Sequence, residues 1–293
     1  MIEHSHLKKY EMSATMNGSD IYFMKILNPK YYIPYHWHDG IEILYNLTGI
    51  HQIILKNKTI ELHENDLFLI NSRTLHATKS SKNNSIILIE LPYSFLKKYI
   101  PDIDSITYDI NPHSQNTKIQ TKLSQLKKLI FDMDVIMDIK PDSSNLRLNS
   151  LTFELLFQLQ HNFKVTTPKR CTNTQQKNAQ RLSLILDYVY EHYTEPISIA
   201  GISSYVHLQP QYFCRFFKEN MGKTFLDFLN EVRLYYAYQD IINTSIPITE
   251  IIAKNGFSTY ATFRKLFISK FSCTPSTLRK THPDLKMEFL VTE

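Results

Sequence analysis

An internal repeat limits what the second half of the chain can fold into. The segment ISIAGISSYVHL, residues 197–208, matches IPITEIIAKNGF, residues 246–257, at an offset of 49 positions. The matched positions keep apolar or small side chains: Ile197 with Ile246, Ile199 with Ile248, Ile202 with Ile251, Ser204 with Ala253, and Leu208 with Phe257. With one extra residue in the second copy, FCRFFKENMGKT from residue 213 then matches FRKLFISKFSCT from residue 263. Each copy is predicted to be a helix, a tight turn and a second helix.

The turn in each copy is typical of a helix-turn-helix motif. Gly256 stands where a DNA-binding motif of this kind needs a positive φ, and Ser258 and Thr259 can cap the helix that follows. In the first copy His207 replaces the glycine, which makes that match looser. The alternative is a plain helical bundle with two solvated helix faces, but a bundle does not require the repeat.

Basic residues cluster on the second helix of each copy and just after it. They are Arg215, Lys218 and Lys223 in the first copy, and Arg264, Lys265 and Lys270 in the second. The opposing acid in these two stretches is Glu219. Because the net charge of the whole chain is a mild +5, this clustering is the informative feature, and it indicates two surfaces suited to DNA phosphates.

The segment between the copies, residues 224–244, reads as one long helix. Thr224 is the expected N-cap, apolar residues repeat along one face, and Pro247 follows the end. About twenty residues at a rise of ~1.5 Å span ~30 Å. That length is close to the ~34 Å of one DNA turn, so both second helices could enter successive major grooves.

Residues from about 180 to 282 resemble the DNA-binding domain of AraC/XylS-family transcription regulators. The resemblance is carried by the repeat, by GFST at 256–259 with the FRKLF run at 263–267, and by TPSTLRK at 274–280. It implies these DNA-facing residues: Gln211, Cys214, Arg215 and Lys218 in the first recognition helix, and Tyr260, Ala261, Arg264 and Lys265 in the second. Arginine suits guanine and glutamine suits adenine. Two positions depart from the family pattern, since Ala261 offers only an apolar contact and Ser272 stands where glycine is usual.

The first half of the chain has the periodicity of strands followed by that of helices. From Ile21 to about Leu91 the short apolar runs IEILYNL, HQIILKN, DLFLINS and SIILIEL predict a small barrel or sandwich. Helical spacing then predicts helices at about 116–138 and 145–163, and the polar stretch 164–178 predicts a linker. The expected fold class is α+β, with an N-terminal barrel domain at 1–163 and an all-α domain at 179–285 whose two helix-turn-helix motifs are joined by a long helix.

The stretch HWHDGIEILYNLTG, residues 36–49, resembles the first cupin motif, and the first domain resembles the cupin-like effector domain common in the AraC/XylS family. The motif positions are held by His36, His38, Glu42 and Gly49. Later, NDLFLINSRTLH places His76 where the second motif has its histidine. The four residues His36, His38, Glu42 and His76 correspond to the metal ligands of cupin enzymes, and their donors suit a divalent ion.

The second cupin motif is altered in this chain. Asn65, Asn71 and Arg73 occupy the positions at which the motif expects Gly, Pro and Gly. Three interpretations of the four polar residues stay open: a pocket for a small-molecule effector, a bound metal ion, and histidines with a purely structural role.

The resemblance implies a transcription regulator controlled by a small molecule bound in the barrel, and saccharides are common effectors in this architecture. The expected effector-binding residues are His36, Trp37, His38, Glu42, Tyr45 and His76. Trp37 and Tyr45 would offer rings on which a sugar could stack. We expect no catalytic residue, no cofactor and no metal; the alternative is a metal-dependent cupin enzyme or a metal sensor fused to a DNA-binding domain.

The expected partners are double-stranded DNA at a promoter or operator, the effector, RNA polymerase as for an activator, and a second copy of the chain. The helices at 116–138 and 145–163 are candidate dimer surfaces, or they only cap the barrel. No apolar run approaches the ~18 residues of a membrane span, and the N-terminus does not resemble a secretory signal. Three widely spaced cysteines outside any CxxC pattern, Cys171, Cys214 and Cys273, fit a reducing compartment, so we expect the cytoplasm.

Overall fold

The computed structural model describes residues 21–27, 32–56, 58–81, 83–166 and 173–281. The described residues divide into two compact units. The sheet unit contains residues 21–27 and 37–166, and the helical unit contains residues 173–281 together with the short segment Tyr32–His36. The described helices include none that is both long enough and apolar enough to span a bilayer.

Antiparallel strands build the N-terminal half, which confirms the α+β expectation. The strands are β1 (Tyr22–Leu27), β2 (Tyr32–His36), β3 (Ile41–Thr48), β4 (His51–Leu55), β5 (Thr59–Leu62), β6 (Leu67–Ile70), β7 (His76–Ser80), β8 (Ser85–Leu91), β9 (Ile106–Tyr108) and β10 (Lys164–Thr166). One four-stranded sheet has the order β1-β8-β3-β6 and the other has the order β2-β7-β4-β5. Because side chains alternate between the two faces of a strand, every strand supplies one set of residues to each side of its sheet.

The outer face of the first sheet packs against helices. These are α1 (Tyr93–Tyr99), α2 (Thr117–Ile139) and α3 (Ser144–Asn162), and the last two agree within one residue with the predicted helices. In β3, Ile41 and Ile43 join the core that includes Leu126 and Leu155 of these helices. Leu44, the residue after Ile43, packs in a second, smaller apolar cluster with Ile53, Leu62, Ile70 and Ile86. The two faces of β3 thus pack into two different apolar cores.

Both ends of the predicted linker have regular structure. Strand β10 pairs antiparallel with β9, and helix α4 (Asn173–His192) starts within the stretch predicted as linker. The extended residues 164–166 find backbone partners in β9, a long-range pairing that polar composition does not reveal. Cys171 lies outside the described residues.

The helical unit contains the two predicted motifs. Its other helices are α5 (Ile199–Tyr205), α6 (Pro210–Met221), α7 (Phe225–Asn243), α8 (Ile248–Lys254), α9 (Tyr260–Phe271) and α10 (Pro275–Thr281). Helices α5 and α6 form the first helix-turn-helix, α8 and α9 form the second, and α7 connects them. The connecting helix has 19 residues, which corresponds to ~28 Å. Its N-cap is Thr224, as predicted, with Oγ1 accepting from the Asp227 backbone nitrogen at 3.2 Å.

The turns of the two motifs share one backbone conformation. Gly256 has a φ of 75° and His207, at the matching position, has a φ of 54°. A side chain at 207 therefore adopts the left-handed region that glycine provides in the second copy. The surroundings differ: a Cβ on Gly256 would lie 2.8 Å from the carbonyl oxygens of both Tyr193 and Thr194.

Replacing Gly256 with alanine is expected to lower the free energy of unfolding by at least about 1 to 2 kcal/mol, because the new Cβ adds the left-handed penalty to a clash with backbone. The matched variant His207→Gly places glycine at the equivalent turn and is expected to leave stability equal or higher. Chemical denaturation of both full-length variants measures the difference. Equal stability of Gly256→Ala and the parent would contradict this account of the turn.

Candidate effector site and nucleic-acid interface

Four polar side chains meet in the N-terminal half. His36 ends β2, His38 lies between β2 and β3, Glu42 is the second residue of β3, and His76 begins β7. Each is 7% exposed or less. One potential ligand atom from each residue lies within 4.8 Å of the others. The structure thus brings together the four positions that the cupin resemblance singled out.

The three histidines are oriented in the same way. Each Nδ1 lies within hydrogen-bond distance of a backbone carbonyl oxygen close in sequence: His36 with Pro34 at 2.9 Å, His38 with Gly40 at 3.0 Å, and His76 with Thr74 at 2.8 Å. Because a carbonyl oxygen only accepts, each Nδ1 must carry the proton and donate. Nε2 is consequently the ring nitrogen that each histidine can present as a ligand atom.

Glu42 forms a buried ion pair with His38. Glu42 Oε2 lies 2.9 Å from Nε2 of His38 and 3.7 Å from Nε2 of His76. Burial opposes the charge on His38, but the hydrogen bond and the negative charge of Glu42 outweigh it and raise the pKa of His38 to about 9. Burial likewise opposes the charge on Glu42, yet the two histidines hold its pKa well below the usual range. The pair is therefore charged at neutral pH when protons alone occupy it.

A second acid beside this pair escaped the sequence analysis. Glu90 of β8 is the cross-strand partner of Glu42, is 7% exposed, and its charge contributes to the raised pKa of His38. The sequence contained an indication of this acid. In the run SIILIEL, Glu90 is the one acid of an apolar strand, and it shares a strand face with the buried Ile86. Burial of an acid at such a position requires a nearby cation or proton donor.

The two aromatic residues predicted for the effector site lie in different places. Trp37, between the two histidines, is half-buried. Tyr45 packs against the helix-side core, and its hydroxyl donates to Asn65 Oδ1 at 2.7 Å. Residues 42 and 45 of one strand face opposite sides of the sheet, so the structure does not bring Tyr45 to the four-residue cluster.

The altered second cupin motif keeps its backbone conformation. Asn65 and Arg73, at the two expected glycine positions, have φ values of 66° and 57°. Asn71, at the expected proline, pairs with the backbone of Tyr108: its Oδ1 accepts at 2.8 Å and its Nδ2 donates at 2.9 Å. Asn65 and Arg73 therefore adopt the left-handed conformation that the expected glycines allow.

Two exposed helix faces form the candidate nucleic-acid interface. All eight predicted DNA-facing residues are exposed: Gln211, Cys214, Arg215 and Lys218 on α6, and Tyr260, Ala261, Arg264 and Lys265 on α9. The opposite faces are fully buried through Phe213 and Phe217 in α6 and Phe263 and Phe267 in α9. Buried aromatic residues at i and i+4 fix the rotation of each helix, which presents the polar residues to solvent.

The ends of these two helices are equivalent as well. Gly222 caps α6 with a φ of 70°, and Ser272 caps α9 with a φ of 57°. Ser272 thus takes the left-handed conformation of the glycine that the family usually has there. The departure noted in the sequence leaves the helix end unchanged.

Models of two known protein domains match the N-terminal and C-terminal halves of the chain. Residues 27–185 match the model of the AraC-like ligand binding domain, and residues 202–281 match a helix-turn-helix domain. The first match covers 159 of the 293 residues, more than half of the chain.

Two relatives of this chain are HTH-type transcriptional regulators. An uncharacterized HTH-type transcriptional regulator of Staphylococcus aureus strain MRSA252 is 24% identical over 245 residues, 84% of this chain but only 32% of that protein. The chain therefore spans about a third of the length of these relatives. YdeC of Bacillus subtilis, another uncharacterized HTH-type regulator, is 24% identical over 85% of this chain and 87% of its own.

The structure of ToxT from Vibrio cholerae aligns over 90% of this chain and 99% of ToxT, with a TM-score of 0.51 and 14% identity, a likeness of fold. The assignment of the chain to a family rests on the match to the ligand-binding domain and on the match to the helix-turn-helix domain. The chain belongs to the AraC family of DNA-binding transcription regulators and carries an AraC-like ligand-binding domain.

Proposed function

We propose that this chain binds specific double-stranded DNA through both recognition helices, and that occupancy of the buried His/Glu cluster controls this binding. One observation carries the proposal: α6 and α9 hold the same place in the two copies of the motif, and both expose their predicted DNA-facing residues. One continuous helix, α7, joins the two copies. The chain would act in the cytoplasm and without catalysing a reaction. It would bind at promoters, where RNA polymerase is a further partner.

The exposed residues have the chemistry for reading bases. Arg215 and Arg264 are exposed on the two recognition helices, and a guanidinium can donate twice to guanine O6 and N7. Gln211 suits adenine, whereas Ala261 suits the methyl group of thymine. Lys218 adds charge for phosphates, which position the protein on the duplex.

The His/Glu cluster favours a compact polar ligand. The apolar cluster formed by Leu44, Ile53, Leu62, Ile70 and Ile86 is 0–1% exposed, so side chains already occupy the space between the sheets there. Tyr45 faces the other side of β3. Both features favour an effector smaller than the saccharide that the family resemblance suggested.

A divalent metal ion is the second candidate, and the common orientation of the histidines favours it. Three imidazoles that donate from Nδ1 to backbone carbonyls have the outer hydrogen bonds that metal-ligating histidines usually have. His36, His38, Glu42 and His76 would hold the ion through three nitrogens and one oxygen. Bound there, the ion would replace the proton that His38 shares with Glu42 and act as an effector by joining residues of β2, β3 and β7.

Metal binding can be measured on the full-length chain after chelation and dialysis. Titration with Zn²⁺, Mn²⁺, Ni²⁺ or Fe²⁺ is expected to reach one ion per chain and to change the fluorescence of Trp37, the single tryptophan. Glu42→Gln should abolish this site, whereas His113→Ala, which removes an exposed histidine, should retain it. No stoichiometric binding by any of these ions would exclude the metal candidate and leave the small-molecule effector.

We also propose that the chain acts as a dimer through α2 and α3. These helices expose large apolar side chains: Phe131, Ile139, Leu146, Phe153 and Phe157, between 43% and 74% exposed. The groove between the helices is lined by both signs of charge, including Lys128, Asp132, Arg147 and Glu154. A surface with both signs can pair with its own copy across a two-fold axis.

Selection from random duplexes tests the DNA-reading proposal. The full-length chain is expected to enrich a sequence with two short elements, one for each recognition helix. Enrichment of no common sequence, at a salt concentration where the chain still binds DNA, would overturn the proposal.

A further inference from the structure

One carboxylate of the connecting helix α7 contacts residues at the ends of both recognition helices. Glu231 Oε2 accepts from Lys223 Nζ at 2.6 Å, and Glu231 Oε1 accepts from Lys270 Nζ at 3.2 Å. Lys223 lies two residues beyond the end of α6, and Lys270 lies in the last turn of α9. The two recognition helices are therefore linked through a single side chain as well as through α7.

Tyr32 of β2 completes this group, which we call the Glu231 clamp and define as Glu231, Lys223, Lys270 and Tyr32. The Tyr32 hydroxyl donates to Glu231 Oε2 at 3.1 Å, and Lys270 Nζ lies 3.2 Å from the centroid of the Tyr32 ring. Burial raises the pKa of Tyr32, and the charge of Glu231 raises it further, so the hydroxyl stays a donor.

The clamp is less exposed to screening by solvent and salt than an ordinary surface ion pair. The side chains of Glu231, Lys223 and Lys270 are 19%, 21% and 28% exposed. Exposed ion pairs contribute little because solvent and salt screen them, whereas partly buried networks are screened less. Two ammonium groups and one phenol share one carboxylate, so removing that carboxylate disrupts all three contacts together.

The clamp is not a consequence of the repeat. By the alignment of the two copies, Lys223 matches Cys273 and Lys270 matches Asn220, so neither lysine has a basic equivalent in the other motif. The helix-turn-helix pattern thus explains the two motifs but not this link between them. Any role of this link must therefore be argued from its geometry, not from the repeat.

We propose that Glu231 is a positioning residue that fixes the orientation of the two recognition helices relative to each other, so that the chain accepts one spacing between its two DNA elements. The inference rests on the proposed DNA-reading function. Helix α7 sets the distance between the motifs, and the bonds to Lys223 and Lys270 restrain the rotation of each motif about it. A chain without the carboxylate would still read each element but would tolerate other spacings.

The test compares affinities of the full-length chain for duplexes that carry the two selected elements at the native spacing, at spacings changed by one to three base pairs, and as single elements. All measurements use one salt concentration. For Glu231→Gln the preference for the native spacing is expected to fall about tenfold, within the usual range of coupling between sites. Affinity for a single element should change less than about twofold, within the scatter expected of a change away from the bases.

Glu191→Gln is the matched control, because Glu191 is a 62% exposed acid of α4 and the substitution changes the charge equally. It should keep the spacing preference of the parent. If Glu231→Gln does not fold, as judged by thermal unfolding, Lys223→Gln removes one arm of the clamp and should reduce the same preference. An unchanged spacing preference in the folded variant would overturn the role of Glu231 while leaving DNA reading intact. A parent chain without specific binding to either element would instead overturn the proposed function.

Discussion

Arg215→Ala and Lys265→Ala are each expected to weaken binding to the selected DNA by about 1 to 3 kcal/mol. Both residues are exposed on the outer faces of α6 and α9. Since the two residues lie on different helices, the losses should add to about 2 to 6 kcal/mol in the double variant. The unfolding temperature should hardly change, because neither side chain belongs to the aromatic core formed by residues such as Phe217 and Phe267.

Equilibrium binding at one fixed salt concentration measures the effect, because phosphate contacts depend steeply on salt. Lys58→Ala is the control: it removes an exposed lysine between β4 and β5, in the sheet unit, and should leave the affinity for specific DNA unchanged. Binding isotherms of both recognition-helix variants that coincide with the parent would refute the assignment of the DNA-facing residues.

His38→Ala and Glu42→Ala are expected to abolish the response of DNA binding to the effector. An effector shifts an equilibrium only through its different affinities for two states, so a site without its polar contacts loses the coupling. A response in the usual range of about 5- to 150-fold should fall to less than about twofold. Affinity for DNA without effector should stay near that of the parent, since the base-reading residues lie on α6 and α9.

The design must account for the buried ion pair between these two residues. Removing one partner of such a pair can cost about 3 to 5 kcal/mol of stability, so folding of each variant is verified before binding is compared. Tyr45→Phe is the control within β3, because Tyr45 packs on the opposite face of the strand. If folded His38→Ala and Glu42→Ala keep the full effector response, the effector binds elsewhere and the cluster is structural.

Local patterns in the sequence predict much of this fold. The short apolar runs IEILYNL and SIILIEL indicate the strands, and the repeat at 197–224 and 246–274 indicates both helix-turn-helix motifs. The resemblance to the two cupin motifs also singles out the four residues that meet at the cluster. These features depend on residues close together in the chain, or on a motif of known spacing.

Features that depend on long-range pairing were not predictable in the same way. The strand Lys164–Thr166 depends on pairing with Ile106–Tyr108, and composition alone indicated a linker there. Tyr45 was expected near Glu42, although the alternation within one strand separates them. The hydrogen bond between Tyr32 and Glu231 joins residues 199 positions apart, and a sequence pattern contains no information about such a contact.

Hydroxyl-radical footprinting of the full-length chain on its selected DNA tests the central claim most directly. A regulator that reads DNA with α6 and α9 at the two ends of α7 should protect two short segments on one face of the duplex. Their centres should lie about 34 Å apart, one turn of DNA. Protection of a single segment, or uniform protection without a fixed position, would contradict the account.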